Sequence, residues 1–274
     1  MKLVYVIAIF IFFIIFGVLM LAFFQHRMIY HPRSYGTIYQ KYFNESLQRL
    51  TYQTSEGSQT AFYQPPPNGK PPKALWILFG GNAALALDWM WLVEESMISD
   101  LGFLLIDYPG FGESEGRASP ENILASSEVA WKLWQELHAT HLTPQIGILG
   151  HSLGAAAALQ LAETIPVNRL VLLSPFTSVA DMVRNMFGSW LIPLLQHRFD
   201  NLGPIQQLLK RKRPPTITII HGSRDEVIPV EMGQELAGLA PQQINYLELP
   251  HSQHNTILQD ALPKVREEIH SLIH

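Results

Sequence analysis

Three side chains of this chain could together carry out nucleophilic acyl transfer: Ser152, Asp225 and His254. Ser152 is the centre of Gly150-His151-Ser152-Leu153-Gly154, which follows the apolar run Gln145 to Leu149 and precedes the small, helix-forming stretch Ala155 to Ala162. A strand that turns sharply into a helix holds a serine at its apex, and the flanking glycines leave room for the turn. The five-residue pattern alone also occurs as a plain Gly-Ser turn; the apolar strand before it and the helix after it point to a nucleophile elbow. A serine used this way needs a base to take its proton and an acid to orient that base. Asp225 follows the β-branched run Pro215 to Ile220, within His221-Gly222-Ser223-Arg224-Asp225-Glu226. His254 follows the alternating run Gln243 to Leu249, within Pro250-His251-Ser252-Gln253-His254-Asn255. All three thus fall in strand-end loops of one sheet edge, where an open α/β sheet gathers ligands and catalytic groups.

The elements that position these loops alternate as a parallel sheet requires. Residues 47–54 and 59–64 read as a strand pair around the turn Ser55 to Ser58, and 74–79, 103–107, 145–149, 169–173, 216–220 and 243–249 read as further strands. Helices are predicted over 84–99, 120–138 and 179–187, with a last helical segment after Asn255. The proline run Pro65 to Pro72 reads as a rigid connection, because strand pattern resumes at Ala74. Between the strands at 169–173 and 216–220 there is room for a small lid, residues 176–213. Its segment Trp190-Leu191-Ile192-Pro193-Leu194-Leu195 is apolar and broken by proline. Trp190, Leu191 and Leu194 are candidate substrate-pocket residues, with packing over the sheet edge as the competing reading. Lys210-Arg211-Lys212-Arg213 reads as a solvated helix end, with contact to anionic headgroups as the alternative.

Further motifs stand in a recognisable order: Asp107-Tyr108-Pro109-Gly110-Phe111-Gly112-Glu113-Ser114-Glu115-Gly116, the elbow, Ser174-Pro175-Phe176-Thr177-Ser178, and the Asp225 and His254 loops. In these the chain, over residues 27–274, resembles the α/β-hydrolases, and more narrowly the membrane-anchored Bem46-like group. The resemblance implies an α/β-hydrolase fold, a mostly parallel sheet with helices on both faces and a small lid. It implies a triad of Ser152, Asp225 and His254, the base standing directly before Asn255, which selects His254 over His251. Acyl transfer develops negative charge on the substrate carbonyl oxygen, to be met by two backbone N–H groups. These are expected at Leu153 and Asn82, with Ala83 as the alternative to Asn82. One departure stands out: the group usually has His-Gly-Asn-Ala after its third strand, where this chain has Gly80-Gly81-Asn82-Ala83. A side chain that normally braces the loop is absent.

Other titratable groups near this edge read differently. His151 and His221 are expected to pack or hydrogen-bond locally, Glu226 to replace Asp225 only if the loop were displaced, and Asp107 to serve as scaffold. No His-x-x-x-His or carboxylate cluster supports a metal site, and no cofactor is expected.

The chain has 274 residues, 47% of them hydrophobic, which is ample for one catalytic domain with a short extension. A net charge of −4 argues against nucleic acid as a partner. With no cysteine, disulfides and thiolate metal sites are excluded. Leu3 to Phe24 is continuously apolar and long enough for a membrane-spanning helix. Residues 1–26 are therefore expected to be an N-terminal transmembrane anchor and 27–274 the catalytic domain. Met20-Leu21-Ala22 is a poor cleavage pattern, so a removed signal is the lesser alternative. The count of positive charge slightly favours a cytoplasmic catalytic domain, whereas the very short tail ahead of the apolar run favours the non-cytoplasmic face, which is the expectation adopted. The functional expectation is a membrane-anchored serine hydrolase acting on an ester or thioester of a small-molecule or lipid-like acyl substrate. A peptidase or amidase uses the same triad, and a binding protein on the same fold is the non-catalytic alternative.

Overall fold

A computed structural model describes residues 2–43, 46–138 and 144–273. Its first element, α1 (Lys2–Ile29), is a 28-residue helix. The side chains of residues 2–4, 6–8, 11, 14, 15, 19 and 21–23 lie outside the described residues, and they make up much of the anchor expected over residues 1–26. Among the described residues no helix is long and apolar enough to cross a membrane.

The rest of the chain builds one eight-stranded sheet and its helices. In chain order these are β1 (Gln48–Thr54), β2 (Gly57–Gln64), β3 (Ala74–Phe79), α2 (Met90–Ser96), β4 (Leu101–Ile106), α3 (Pro120–Leu137), β5 (Gln145–His151), α4 (Leu153–Thr164), β6 (Arg169–Leu173) and α5 (Val179–Phe187). There follow α6 (Leu202–Leu209), β7 (Thr216–Gly222), α7 (Val230–Gly238), β8 (Ile244–Leu249), α8 (Ile257–Asp260) and α9 (Leu262–His270). Across the sheet the order is β1-β2-β4-β3-β5-β6-β7-β8. β2 runs antiparallel to β1 and β4, and every pairing from β4 to β8 is parallel.

β3 and β4 are buried at every position, as strands covered on both faces must be. Their unbroken apolar sequences follow from that. The chain leaves β3 on one side to form β4 and returns on the other side to form β5. This reversal opens a crevice at the carboxyl ends of β3 and β5, the place where such sheets bind ligands. Loop 80–83 and Ser152 both stand there.

The bounds of the elements depart most from the sequence reading in three places. The helix expected over 84–99 is a 3₁₀ turn, Ala86–Trp89, followed by α2, which ends at Ser96. Asp88 draws the first turn out of line, because its carboxylate accepts the Leu85 N–H and the guanidinium of Arg33. The strand expected from residue 103 begins at Leu101. Leu101 and Gly102 belong to it by pairing with Ala74 and Leu75 of β3, and position 102 is a glycine where a Cβ would lie 3.0 Å from the Tyr63 ring. β2 begins at Gly57 rather than at 59, since Thr54 pairs with Gly57 across a two-residue turn. The basic run after α6 sits at the amino edge of the sheet, just ahead of β7, and Arg211 donates to the Ile165 and Glu163 carbonyls at the end of α4. A cation placed there is favoured by the helix dipole.

Candidate active site

β5 continues to His151 and α4 begins at Leu153, so Ser152 alone makes the turn between them. Its φ of 57° and ψ of −120° lie in a region that a non-glycine residue occupies at a cost on the order of 1–3 kcal/mol. The surroundings hold it there. A Cβ on Gly150 would lie 2.1 Å from the Gly154 carbonyl oxygen, and one on Gly154 would lie 2.3 Å from that of Phe79. Any larger residue at either position would push α4 off the sheet. The Ser152 N–H donates to the Leu173 carbonyl at 2.9 Å, tying the turn to β6.

The structure brings Ser152, Asp225 and His254 together. His254 Nδ1 lies 2.8 and 3.0 Å from the two Asp225 oxygens, and its Nε2 lies 3.0 Å from Ser152 Oγ. A carboxylate only accepts, so Nδ1 carries the proton and Nε2 is left to accept from the serine hydroxyl. Burial alone would raise the Asp225 carboxyl. The His221 N–H, then that of His254 and the Ile228 amide, outweigh burial and hold it far below the usual carboxylate range. His221 Nε2 is 3.0 Å from the Ile228 carbonyl, a pure acceptor, so it bears hydrogen and presents it also toward Asp225 Oδ2 at 3.4 Å. Asp225 Oδ1 further accepts the amides of Val227 at 2.9 Å and Ile228 at 2.7 Å.

Loop 80–83 stands beside the serine: a Cβ on Gly81 would lie 3.7 Å from that of Ser152. All four of its carbonyls are engaged. Tyr108 Oη donates to the Gly80 oxygen at 2.6 Å, and the Ala84 amide to that of Gly81 at 3.1 Å. The His31 amide donates to the Asn82 oxygen at 2.9 Å, and Arg33 Nε to that of Ala83 at 2.7 Å. In a trans peptide the N–H points opposite to its carbonyl. The Asn82 N–H therefore faces away from the Ala84 amide that holds the Gly81 oxygen. Among the described residues the amides of Asn82, Ala83 and Leu153 donate to no acceptor, Leu153 being the first residue of its helix. The missing histidine at position 80 has a physical reason, since a Cβ there would meet that of Ala84 at 2.4 Å. Tyr108, His31 and Arg33 do the bracing instead.

The neighbouring groups are local in their contacts. His151 Nε2 lies 3.0 Å from the His254 carbonyl; burial, and then the charge of His254, pull its pKa down to about 3. His251 is exposed, and the Glu226 carboxylate accepts the His254 amide at 3.2 Å. Asp107 accepts the Ala86 amide at 2.8 Å and the Tyr35 hydroxyl at 2.7 Å. In the cap, Leu191 and Leu194 line an apolar cavity of about 60 Å³ with Val183 and Phe187 of α5 and with Gln25 and Met28 of α1. Trp190 lies outside it, because its indole N–H turns back onto the Phe187 carbonyl at 2.9 Å and leaves the ring in solvent. The triad residues do not line this cavity either.

Sequence reasoning missed His31, Arg33 and Tyr108 as partners of the site; of His221 it expected the local hydrogen bonding that the structure shows, but not the contact with Asp225. The spacing of His221 four residues before Asp225 was a visible signal. Nothing local could have linked Arg33 to a carbonyl fifty residues away.

A mostly parallel sheet, a serine elbow after its fifth strand and a crevice at its reversal define an α/β-hydrolase architecture. Residues 77–250 match the Alpha/beta hydrolase family, and the chain belongs to that family. It is 33% identical over 155 residues to the protein Rv2307c of Mycobacterium tuberculosis, covering 57% of this chain and 53% of that one. The match thus spans about half the length of this relative. Among solved structures it is similar to the Pyrococcus furiosus esterase Pf2001, with a TM-score of 0.65 at 17% identity, over 90% of this chain and 98% of that one. It is also similar to XC6422 of Xanthomonas campestris, described as a member of a/b serine hydrolase without lid, with a TM-score of 0.58 at 13% identity over 84% and 95% of the two chains. These likenesses concern the fold.

Proposed function

We propose that this chain is a membrane-anchored serine hydrolase of the Bem46-like group, cleaving an ester or thioester of an amphipathic, acylated substrate. The observation that supports this reading most is the continuous relay from Asp225 through His254 to Ser152 Oγ, beside backbone amides that donate to no acceptor among the described residues. In the first step Ser152 Oγ attacks the carbonyl carbon while His254 Nε2 takes its proton. The oxyanion is held by the Leu153 and Asn82 amides, and Asp225 stabilises the imidazolium. The proton passes to the leaving oxygen or sulfur, and an acyl-serine remains. Water, deprotonated by the same nitrogen, then releases the acid and restores the serine. The name esterase carried by a structural neighbour agrees with this as an analogy of fold.

The anchor is Leu3 to Phe24, whose apolar length matches the hydrocarbon layer. On this reading the catalytic domain lies on the non-cytoplasmic face.

The test is labelling of the full chain by a fluorophosphonate probe, expected to be lost in Ser152→Ala. Esters of increasing acyl length, a thioester and an aminoacyl amide are then compared. Turnover of the esters or thioester is expected to rise several-fold per carbon, following about 0.8 kcal/mol for each buried methylene, until the groove is full. Turnover of the amide alone would replace this reading with a peptidase, and absence of labelling with a binding protein.

A further inference from the structure

The last residues of α1 are fastened to the cap. Gln25 Nε2 donates to the Leu194 carbonyl at 2.7 Å, and its Oε1 accepts the Gln196 amide at 2.9 Å. One side chain thus engages both polar groups of a short stretch of cap backbone. One turn further on, Met28 shares the apolar cavity with Val183, Phe187, Leu191 and Leu194.

The cap on the far side of this joint is unusually apolar at its surface. Not one residue of α5 is buried. Its large apolar side chains lie at 179, 182, 183, 186 and 187, the spacing of a single helix face. Val179 and Met182 pack on the core and Val183 lines the cavity, but the face then runs on into solvent. Met186 is 67% exposed, Phe187 46% and Trp190 61%. An apolar patch of this kind marks a surface meant for a partner or a membrane.

The position of α1 identifies which. Gln25 follows the apolar run immediately, and Met28 lies about 6 Å beyond Phe24 along the helix. If Leu3 to Phe24 span the bilayer, whatever is hydrogen-bonded to Gln25 stands at the membrane interface. We infer that the cap is a membrane-docking surface, in which Met186, Phe187 and Trp190 enter the boundary between headgroups and acyl chains of the bilayer that holds α1. This rests on the membrane-anchor reading. A short amphipathic helix lying in the interface plane, with an adjoining tryptophan, is suited to that boundary. The reacting edge comes with it, since His31 and Arg33, just past α1, hold loop 80–83. The basic run 210–213, at the opposite edge of the sheet, faces away from this joint.

Because the chain has no cysteine, Met186→Cys and Phe187→Cys each introduce a single thiol for an environment-sensitive fluorophore, with Lys212→Cys as the control. The full chain is placed in phosphatidylcholine–phosphatidylserine vesicles carrying a quencher near the top of the acyl chain. Labels at 186 and 187 are expected to shift to shorter wavelength and to be quenched about two-fold or more, and the label at 212 to behave as in water. Alkaline carbonate extraction of the same vesicles reads the anchor separately. Water-like labels at 186 and 187 on a chain that resists carbonate would overturn the docking surface and leave the anchor standing. Release of the chain by carbonate would overturn both, and equal quenching at 186, 187 and 212 would reduce docking to nonspecific adsorption.

Discussion

Asp225 and Asp107 are buried carboxylates at the same carboxyl edge of one sheet, and their surroundings drive them in opposite directions. Around Asp225 stand two imidazoles and the amides of Val227 and Ile228, and these overcome burial to keep it ionised. Around Asp107 stand one amide and one phenol. Burial wins there, the negative charges of Glu113 and Asp88 add to it, and the carboxyl is pushed up to about 7. The two differ in the number and kind of donors, and Asp107 also lies deeper, and these differences set their uses. A permanent anion beside His254 can orient and stabilise an imidazolium; a group that is half protonated at neutral pH cannot. Asp107 instead props Ala86 and Tyr35 just behind loop 80–83. In the proposed mechanism one carboxylate serves the base, the other the loop that is to hold the oxyanion.

The largest effects are expected from breaking the Asp225 side. Ser152→Ala and His254→Ala should each lower esterase turnover by on the order of 10⁴ or more, and the double substitution should cost little beyond either one. Asp225→Asn keeps the shape but removes the charge that selects the His254 tautomer, and should cost somewhat less, on the order of 10³. The check is kcat/KM on a short-chain ester. Activity kept in His254→Ala and lost in His251→Ala would mean that the apo geometry names the wrong base.

The same contrast shows what the sequence could disclose. β3 and β6 have the bounds read from their apolar runs, because strands buried on both faces leave an unbroken hydrophobic signature. The residue types of the site and their loops were legible too, since the Ser152 and Asp225 loops follow such buried strands and the His254 loop follows β8, whose alternating pattern marks a strand with an open face. Their approach was not, because chain separation between Ser152, Asp225 and His254 says nothing of distance until the strand order places β5, β7 and β8. The split of the helix at 84–99 was hidden altogether, being caused by Asp88 and the distant Arg33 and Tyr39. In the cap, Trp190 turned outward and Leu194 turned to α1 through contacts that leave no periodic trace.

An intermediate effect is expected from the Asp107 side, where Arg33 joins the loop to the chain leaving α1. Arg33→Ala removes the Nε donor to the Ala83 carbonyl and the partner of Asp88. The Asn82 amide then loses part of its fixed direction. Since about 1 Å of misplacement can cost on the order of 10², kcat should fall by about 10–10² with KM little changed. A chain beginning near Arg27 keeps this brace and should retain activity toward small esters, whereas one beginning after Arg33 should not. A rise in KM with kcat intact would instead make Arg33 a substrate contact and remove the loop from its role.

The smallest effect sharpens the contrast itself, through the pH dependence of stability. Asp107 titrates near 7 when folded and near 4 when unfolded, so between these values the folded chain binds more protons than the unfolded one. Its contribution to stability is therefore full in acid and lost as pH rises through 7. Asn at this position keeps an oxygen for the Ala86 amide and can donate to Tyr35, but has nothing to ionise. The thermal midpoints of wild type and Asp107→Asn in detergent should lie closest together at about pH 4 and separate progressively up to about pH 8, with the wild type the lower. His151 acts with the opposite sign, losing stability as pH falls below about 6.5, but it is common to both proteins and cancels in the difference. A variant that is less stable by the same amount at every pH would mean that Asp107 does not change its charge across this range, and the opposition between the two carboxylates would collapse.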